Sequence, residues 1–498
     1  MSELFKDLFI FEMANNHQGS VEHGLKIVQE MGAIAKRRGV RAAVKLQYRD
    51  LDTFIHPDYK GRKDVKHIPR FLSTRLTDGE FDRLVEAIRA EGMLTMVTPF
   101  DEPSVARCVE QKIDLLKVAS CSATDWPLLE RLTHAARPLI VSTGGVGLSE
   151  IDNIVSYLSH KKVSLALMHC VGLYPAPNNA LHLNFIRKLI SRYGNVPVGY
   201  SGHEAPDNLD VVKVAVSKGA SLLERHVGIP MDTVPLNSYS SSPKQVDAWV
   251  ASALAAQEIC GDAEGKQVGQ QEADSLLSLK RGVYARRKIK QGGIISRDDV
   301  FFAMPCGEGQ TTSGEFGRYR TTYVASRDYL QNAPITETCQ LDSIHKVRSI
   351  VHDAKGMLFE AKIVLGNDVE IELSHHDGIE QFRQTGAIIV SVVNRNYCKK
   401  LIIVFPGQKH PAHAHRVKEE TFQLLWGDLE IDVDGTVTHM QPGDKALIEP
   451  GQIHAFRSCH GAIFEEISST HRRDDSFYAD ERINRMDPLE RKTILTDW

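Results

Sequence analysis

The chain has 498 residues, 42% of them hydrophobic, and a formal net charge of −4. That is the length of roughly three domains, and the near-neutral charge gives no electrostatic reason to expect nucleic acid or an anionic membrane as partner. No apolar run is long enough to span a bilayer and no charged-then-apolar leader opens the sequence, so a cytoplasmic protein is expected.

Eight short apolar stretches, each ending in a polar or ionisable cluster, fill the first half. They are FIFEMANNH (9–17), AAVKLQ (42–47), LTMVTPFD (94–101), LLKVASCS (115–122), LIVSTGG (139–145), SLALMHC (164–170), VPVGYSGH (196–203) and SLLERHV (221–227). Stretches with apolar residues at three- and four-residue spacing separate them, among them 24–39, 78–92 and 208–219, and several end at Gly. The alternation predicts a parallel sheet, and eight strand–helix units predict an α/β fold, a (β/α)8 barrel over residues 1–262 with its active site at the C-terminal rim.

Polar, Gln-rich sequence follows at 261–274. Residues 276–338 read as a small domain of short strands and turns, with an echo between KIKQGGIISRDDV (288–300) and SRDYLQNAPITET (326–338). After a linker near 339–349, residues 350–498 carry many short strands, beginning with LFEAKIVL (358–365), and no long helical stretch; an all-β domain is predicted. The eight cysteines are scattered without a CxxC pair and read as free thiols; Cys121 and Cys170 fall near strand ends, where small buried hydrophobes are the simpler reading.

Strand by strand, the barrel rim offers Glu12, Asn15, Asn16 and His17; Lys45 and Gln47; Thr98; Lys117, Ser120 and Ser122; Ser142 and Thr143; His169 followed by Tyr174; Ser201 and His203; and Glu224, Arg225 and His226. Two lysines with several hydroxyls converging on one mouth suit a phosphate or carboxylate. His203 and His226, on adjacent strands, suit a divalent metal with open positions. Any one of these residues is more often structural; the joint pattern is what points to chemistry.

The ordered segments ExxxNHxG (Glu12 to Gly19), KxQ (Lys45 to Gln47), TPFD (Thr98 to Asp101), KVAS (Lys117 to Ser120), STGG (Ser142 to Gly145), HCVGLYPAP (His169 to Pro177), GYSGH (Gly199 to His203) and ERH (Glu224 to His226) resemble the sialic acid synthase family over the whole barrel. Residues 276–338 resemble the antifreeze-like (SAF) domain attached to those enzymes. The resemblance implies a transferase that condenses phosphoenolpyruvate with a sugar aldehyde, giving a 3-deoxy-2-ulosonic acid and phosphate. It implies Mn²⁺ or another divalent cation on His203 and His226. Lys45, Thr98, Lys117, Ser120, Ser142 and Ser201 would hold phosphoenolpyruvate, and Glu12, Gln47 and Tyr174 would face the sugar. It also implies a domain-swapped homodimer in which each SAF domain covers the partner's barrel mouth.

Three positions depart from the family pattern. Ser122 stands where a Glu is usual, Gly172 where an Asn is frequent, and Met304, within Ala303-Met304-Pro305-Cys306-Gly307, where an Arg reaches the sugar. A serine does not replace a carboxylate as general base at neutral pH without its own activator. All three touch acceptor recognition or the water step, so an N-acetylated acceptor is not assumed.

The β-rich region carries Gly407-x5-His413-x-His415-x4-Glu420-x6-Gly427 and then Gly443-Asp444-x4-Glu449-Pro450-Gly451-x2-His454, which resemble the two cupin motifs. His413 and His415, two apart on a strand, share a face; with Glu420 and His454 they suit Zn, Mn, Fe or Ni. Glu419 is the alternative carboxylate, and spacing favours Glu420. The phrase FEEISS (464–469) resembles cupin sugar isomerases of the lyxose type, which makes a sugar-binding or sugar-isomerising module a second expectation. Two other readings of the barrel stay open: an altered aldol or lyase step, motivated by Ser122, and a catalytically silent metal- and sugar-binding regulator.

Overall fold

The computed structural model describes the chain apart from residues 1–2, 232–234, 262–264, 317–321, 337, 341–343, 367–368, 473–474, 488–489 and 497–498. The expected barrel boundary at 262 lies outside the described residues. The chain divides into two compact units at 267/268.

In the first unit, β1 (Leu8–Glu12), β2 (Arg41–Tyr48), β3 (Leu94–Pro99), β4 (Leu115–Val118), β5 (Leu139–Ser142), β6 (Leu165–Cys170), β7 (Val198–Gly202) and β8 (Leu222–His226) close into a parallel barrel in chain order. β1 pairs with both β2 and β8, which completes the ring. The strands are buried on both sides, so they read as apolar runs rather than alternating ones. Period-two geometry splits each run between two cores. Leu8, Ile10, Ala43, Met96, Leu115, Ile140, Ala166, Met168 and Leu222 form one cluster, to which Phe5 adds its ring; Phe9, Phe11, Val44, Val97, Leu116, Val141 and Leu167 belong to the other, with the surrounding helices.

Local signals set the helices. Ser20 caps Val21–Arg38 by accepting from the His23 amide, and Gly39 ends it at φ +64°, a conformation that favours glycine. Thr77 and Glu80 form a capping box on Asp78–Ala90.

The second unit begins with two small antiparallel sheets, one pairing Gly282–Ala285 with Val300–Ala303, the other joining Ile294–Ile295, Tyr323–Ala325 and Thr338–Gln340. The two echoing segments lie against each other: Ile289 and Tyr329 exchange backbone hydrogen bonds of 2.9 and 2.8 Å. A seven-stranded and a five-stranded sheet follow between residues 370 and 495. Ile402, Val404, Phe422 and Leu424 from one share a core with Leu429, Ile431 and Phe456 from the other.

One expectation is corrected here. Residues Ile344–Glu360 form a helix of 17 residues, and Leu358–Glu360, expected to open a strand, end it. Ile350, Val351, Ala354 and Leu358 are its buried positions, a helical spacing. Three of them, Ile350, Ala354 and Leu358, pack in one cluster with Ile371, Leu373, Ile388, Val390, Leu401 and Ile403 of the larger sheet.

Among the described residues, no helix is long and apolar enough to cross a membrane.

Candidate active site and metal centre

The alternation that builds the barrel's inner core also builds its polar floor. Two residues beyond Ile10, Ala43, Met96, Leu115, Ile140 and Leu222 stand Glu12, Lys45, Thr98, Lys117, Ser142 and Glu224, on the same face of their strands. They line a cavity of about 1740 Å³ with Gln47, Ser120, Tyr174, Ser201, His203 and His226.

Glu224 is the hub. It accepts hydrogen bonds from Lys45 Nζ (2.8 Å), Lys117 Nζ (2.6 Å) and Ser201 Oγ (2.8 Å). Lys45 also contacts Glu12, which accepts from Gln47 Nε2 at 3.4 Å. Burial works against the charged form of Glu224, but Lys117 and Lys45 hold its carboxyl well below the usual range. Lys45 is pushed down to about 7, chiefly by burial, with Glu224 opposing the shift and Lys117 adding to it. Two ammonium groups against two carboxylates leave the floor balanced, and the lysines can exchange a carboxylate for an incoming anion. Thr98 Oγ1 is buried without a partner, a hydroxyl left for a ligand. Ser120 Oγ accepts from the Gly144 amide at 3.0 Å.

His203 Nδ1 donates to the Val171 carbonyl at 2.8 Å, which leaves Nε2 with its lone pair. The His203 and His226 rings are 5.3 Å apart. Burial lowers both imidazoles, His226 strongly, with the neighbouring His203 adding to the effect. Neutral, adjacent imidazoles on a cavity wall fit a divalent cation. The Tyr174 ring lies 4.2 Å from that of His203, tilted by 42°, and Tyr239 lies 5.1 Å from both Tyr174 and His226.

Ser122 is off the cavity wall. Ser120–Ser122 form a 3-10 turn in which the Ser122 amide donates to the Ala119 carbonyl at 2.9 Å, and Cys121 takes the wall position. His17 and Arg225 are also off the wall. His17 Nδ1 accepts from the Gly19 amide, and Arg225 donates to the Ala205 carbonyl at 3.0 Å. His169 lines the cavity but its Nε2 is engaged with the Leu181 carbonyl at 2.7 Å. At Gly172 a Cβ would meet nothing within 4 Å, so the wall is open there. Sequence reasoning missed Arg49, Lys66, Arg70, Lys188 and Tyr239, which reach the cavity from beyond the strand ends. Arg49 continues the two-residue spacing of Lys45 and Gln47, and no motif spacing marks the other four.

In the second unit, ligand atoms of His413, His415 and His454 lie within 4.8 Å of one another. His413 and His454 are partners across two antiparallel strands. Each ring turns Nδ1 to a backbone carbonyl, of Pro411, Asp475 and Gln452 respectively. That fixes the tautomers and leaves Nε2 to face the cluster. Glu420 is buried beside them, its Oε1 3.4 Å from His415 Nε2 and its Oε2 3.1 Å from His454 Nε2; Glu419 is exposed. Neither Glu420 Oε2 nor His454 Nε2 has a hydrogen bond despite the approach. Burial lowers His413 strongly, with His454 and His410 adding to it. Three buried imidazoles and a carboxylate, with Glu420 Oε2 and His454 Nε2 orphaned, fit a transition-metal ion. His410 and His376, absent from the motif reading, stand beside them, their Nε2 atoms 3.3 Å apart.

A closed parallel barrel with lysines, carboxylates and an imidazole pair at its C-terminal rim is the layout of a (β/α)8-barrel enzyme. The NeuB family model matches residues 33–265, and the cupin domain model matches residues 400–464. A crystal structure from Chromobacterium violaceum, of a protein named as a candidate spore coat polysaccharide biosynthesis protein E, is 44% identical; the match covers 66% of this chain and 98% of that one, at a TM-score of 0.65. The N,N'-diacetyllegionaminic acid synthase of Legionella pneumophila is 28% identical over 310 residues, 59% of this chain and 85% of its own. A D-lyxose/D-mannose isomerase of Thermosediminibacter oceani is 29% identical over 175 residues, 29% of this chain and 97% of its own. The chain belongs to the NeuB family, whose members include transferases of the sialic acid synthase type, and it carries a cupin domain as well.

Proposed function

We propose that the barrel condenses phosphoenolpyruvate with a sugar aldehyde and water to give a nonulosonic or related 3-deoxy-2-ulosonic acid and inorganic phosphate. The observation that carries this reading is the buried Lys45–Glu224–Lys117 cluster beside the His203–His226 pair on one cavity wall. The synthase named among the relatives supports it.

Lys45 and Lys117 offset the charge of the phosphate and carboxylate, and Thr98, Ser120, Ser142 and Ser201 orient those groups. Glu224 holds both ammonium groups and the Ser201 hydroxyl in place before the substrate arrives. His203 and His226 would hold Mn²⁺ or a similar ion, which when bound polarises the acceptor aldehyde as a Lewis acid. Gln47 and Tyr174 position the acceptor. Glu12, the second carboxylate of the wall, is the group that accepts the proton from attacking water, a role the absence of a carboxylate at Ser122 leaves to it. Phosphate release from phosphoenolpyruvate, measured with Mn²⁺ and a panel of aldoses, amino sugars and phosphosugars, tests the reading. Release with at least one acceptor is expected; none with any of them sinks it.

The cupin site would hold Zn, Mn, Fe or Ni on His413, His415, Glu420 and His454 and would act on a sugar, by binding or aldose–ketose isomerisation. The isomerase among the relatives supports this. Unchanged aldose–ketose ratios across a sugar panel argue against isomerisation. We read residues 276–338 as an SAF domain and the protein as a cytoplasmic, domain-swapped homodimer, with light scattering as the check on assembly.

A further inference from the structure

Arg49 differs from the charged groups of the cavity floor, which pair with one another. It lies one residue beyond β2, in line with Lys45 and Gln47, so these three side chains leave the same face of the strand at successive levels. Lys45 to Arg49 spans about 13 Å of strand. Arg49 therefore stands at the outer end of this wall, away from Lys45 and the two histidines at the reacting end. Gln47, at the intermediate level, accepts a hydrogen bond from Arg49 Nη1 at 3.1 Å.

The guanidinium is clamped between two aromatic faces, 3.6 Å from the Phe100 centroid and 4.2 Å from that of Phe71. All three residues line the cavity. The clamp fixes the side chain, as cation–π contacts with Arg do. Its ionic needs are unmet. Arg49 Nε is buried without a hydrogen-bond partner, and no carboxylate of the described residues lies within ion-pair distance. Asp101, whose charge reaches it, is committed to the amides of Asp50 and Ser104 at 2.8 Å each. Lys66, Arg70 and Lys188 add the same sign to the outer wall, while the acidic residues that line the cavity among the described residues, Glu12 and Glu224, are tied to the floor lysines. A largely enclosed, immobilised and unpaired guanidinium is costly to keep unless an anion from outside completes it.

We propose that Arg49 is the specificity residue for the acceptor and that the acceptor is an acidic sugar, carrying a phosphate or carboxylate at the end remote from its aldehyde. The planar fork of Arg49 takes that group. This rests on the synthase reading for the identity of the site, but the binding part of the test does not.

The test uses the full-length protein and three probes without phosphoenolpyruvate: a neutral hexose, its 6-phosphate and the corresponding hexuronate, titrated by calorimetry. The wild type is expected to bind at least one acidic probe about 10-fold or more tighter than the neutral one. Which acidic probe is preferred distinguishes phosphate from carboxylate. Arg49→Met, which keeps the apolar stem between the two rings, is expected to lose about 10- to 100-fold on that probe and under about 2-fold on the neutral sugar, with Arg49→Lys between. In turnover, the loss is expected in KM for the acceptor and not in KM for phosphoenolpyruvate. Equal binding of neutral and acidic probes overturns the proposal, as does a loss in Arg49→Met that falls on phosphoenolpyruvate. If acidic sugars bind through Arg49 and no phosphate is ever released, the synthase reading fails and the Arg49 assignment stands.

Discussion

Lys45 is the residue whose ionisation matters most to a phosphoenolpyruvate grip. Burial brings it down to about 7, and Glu224 holds it up against that effect. A lysine binds an anion as its cation, and the cation is lost as pH rises through the pKa. kcat/KM for phosphoenolpyruvate, which reports free-enzyme groups, is therefore expected to fall above pH about 7. Lys45→Arg, whose charge does not titrate in this range, removes that limb at the cost of a lower plateau. Glu224→Gln moves the limb to lower pH, because a stabilising charge is gone. An identical limb in wild type and Lys45→Arg assigns it to another group.

At the scale of elements, the helices Val21–Arg38 and Pro243–Cys260 are pinned by one carboxylate. Asp247 accepts from Arg37 Nη2 at 2.8 Å and from Arg38 Nε at 2.9 Å. The hydrogen bond from Arg38 is the main cause of its pKa falling to about 2, against burial. A carboxyl depressed on folding contributes stability above its unfolded pKa, near 4, and that contribution disappears as pH falls from there to about 2. The pair is partly exposed, so Asp247→Asn is expected to cost about 0.5–1 kcal/mol at pH 7 after solvent screening. The difference from wild type, followed by denaturant unfolding, should vanish by about pH 2. A constant difference down to that pH would assign the effect to packing. The other instructive element is Ile344–Glu360. Its apolar residues include β-branched Ile350 and Val351, and LFEAKIVL looks like a strand in isolation. The helix wins because the outer face of the larger sheet needs a cover, which is a tertiary demand.

At the scale of the molecule, one compact unit carries the His203–His226 pair and the other the His413, His415 and His454 group. His454→Ala is expected to remove about one equivalent of bound metal per chain and to leave phosphoenolpyruvate-dependent phosphate release intact. His203→Ala should do the reverse to activity. Elemental analysis beside the phosphate assay checks both. Loss of phosphate release in His454→Ala would mean that the cupin site supports the barrel reaction.

The order of strand ends and the cupin spacing were legible in the residues themselves. Buried parallel strands appear as apolar runs, and the first polar residue after each run is set by period-two alternation, so Glu12, Lys45, Thr98, Lys117, Ser142, Ser201 and Glu224 could be read off in turn. His413, His415 and Glu420 were readable because ligands on one strand and the next keep a fixed spacing. Ser122 was misplaced because a 3-10 turn starts right after β4, and alternation no longer holds in a turn. Arg49 continues the Lys45–Gln47 alternation one residue past β2 and was legible in that pattern, whereas Lys188 and Tyr239 carry no signal because loops converge only once a barrel has closed. Closure also decided the pairings. Glu12 and His226, at opposite ends of the barrel sequence, are neighbours because β1 pairs with β8, and Glu224 meets Lys45 and Lys117 across the ring. Sequence by itself determined which chemical groups each strand would deliver. Only the tertiary structure decided which of them share a proton, a charge or a ligand, because those energies depend on distance and burial, and the closed ring sets both.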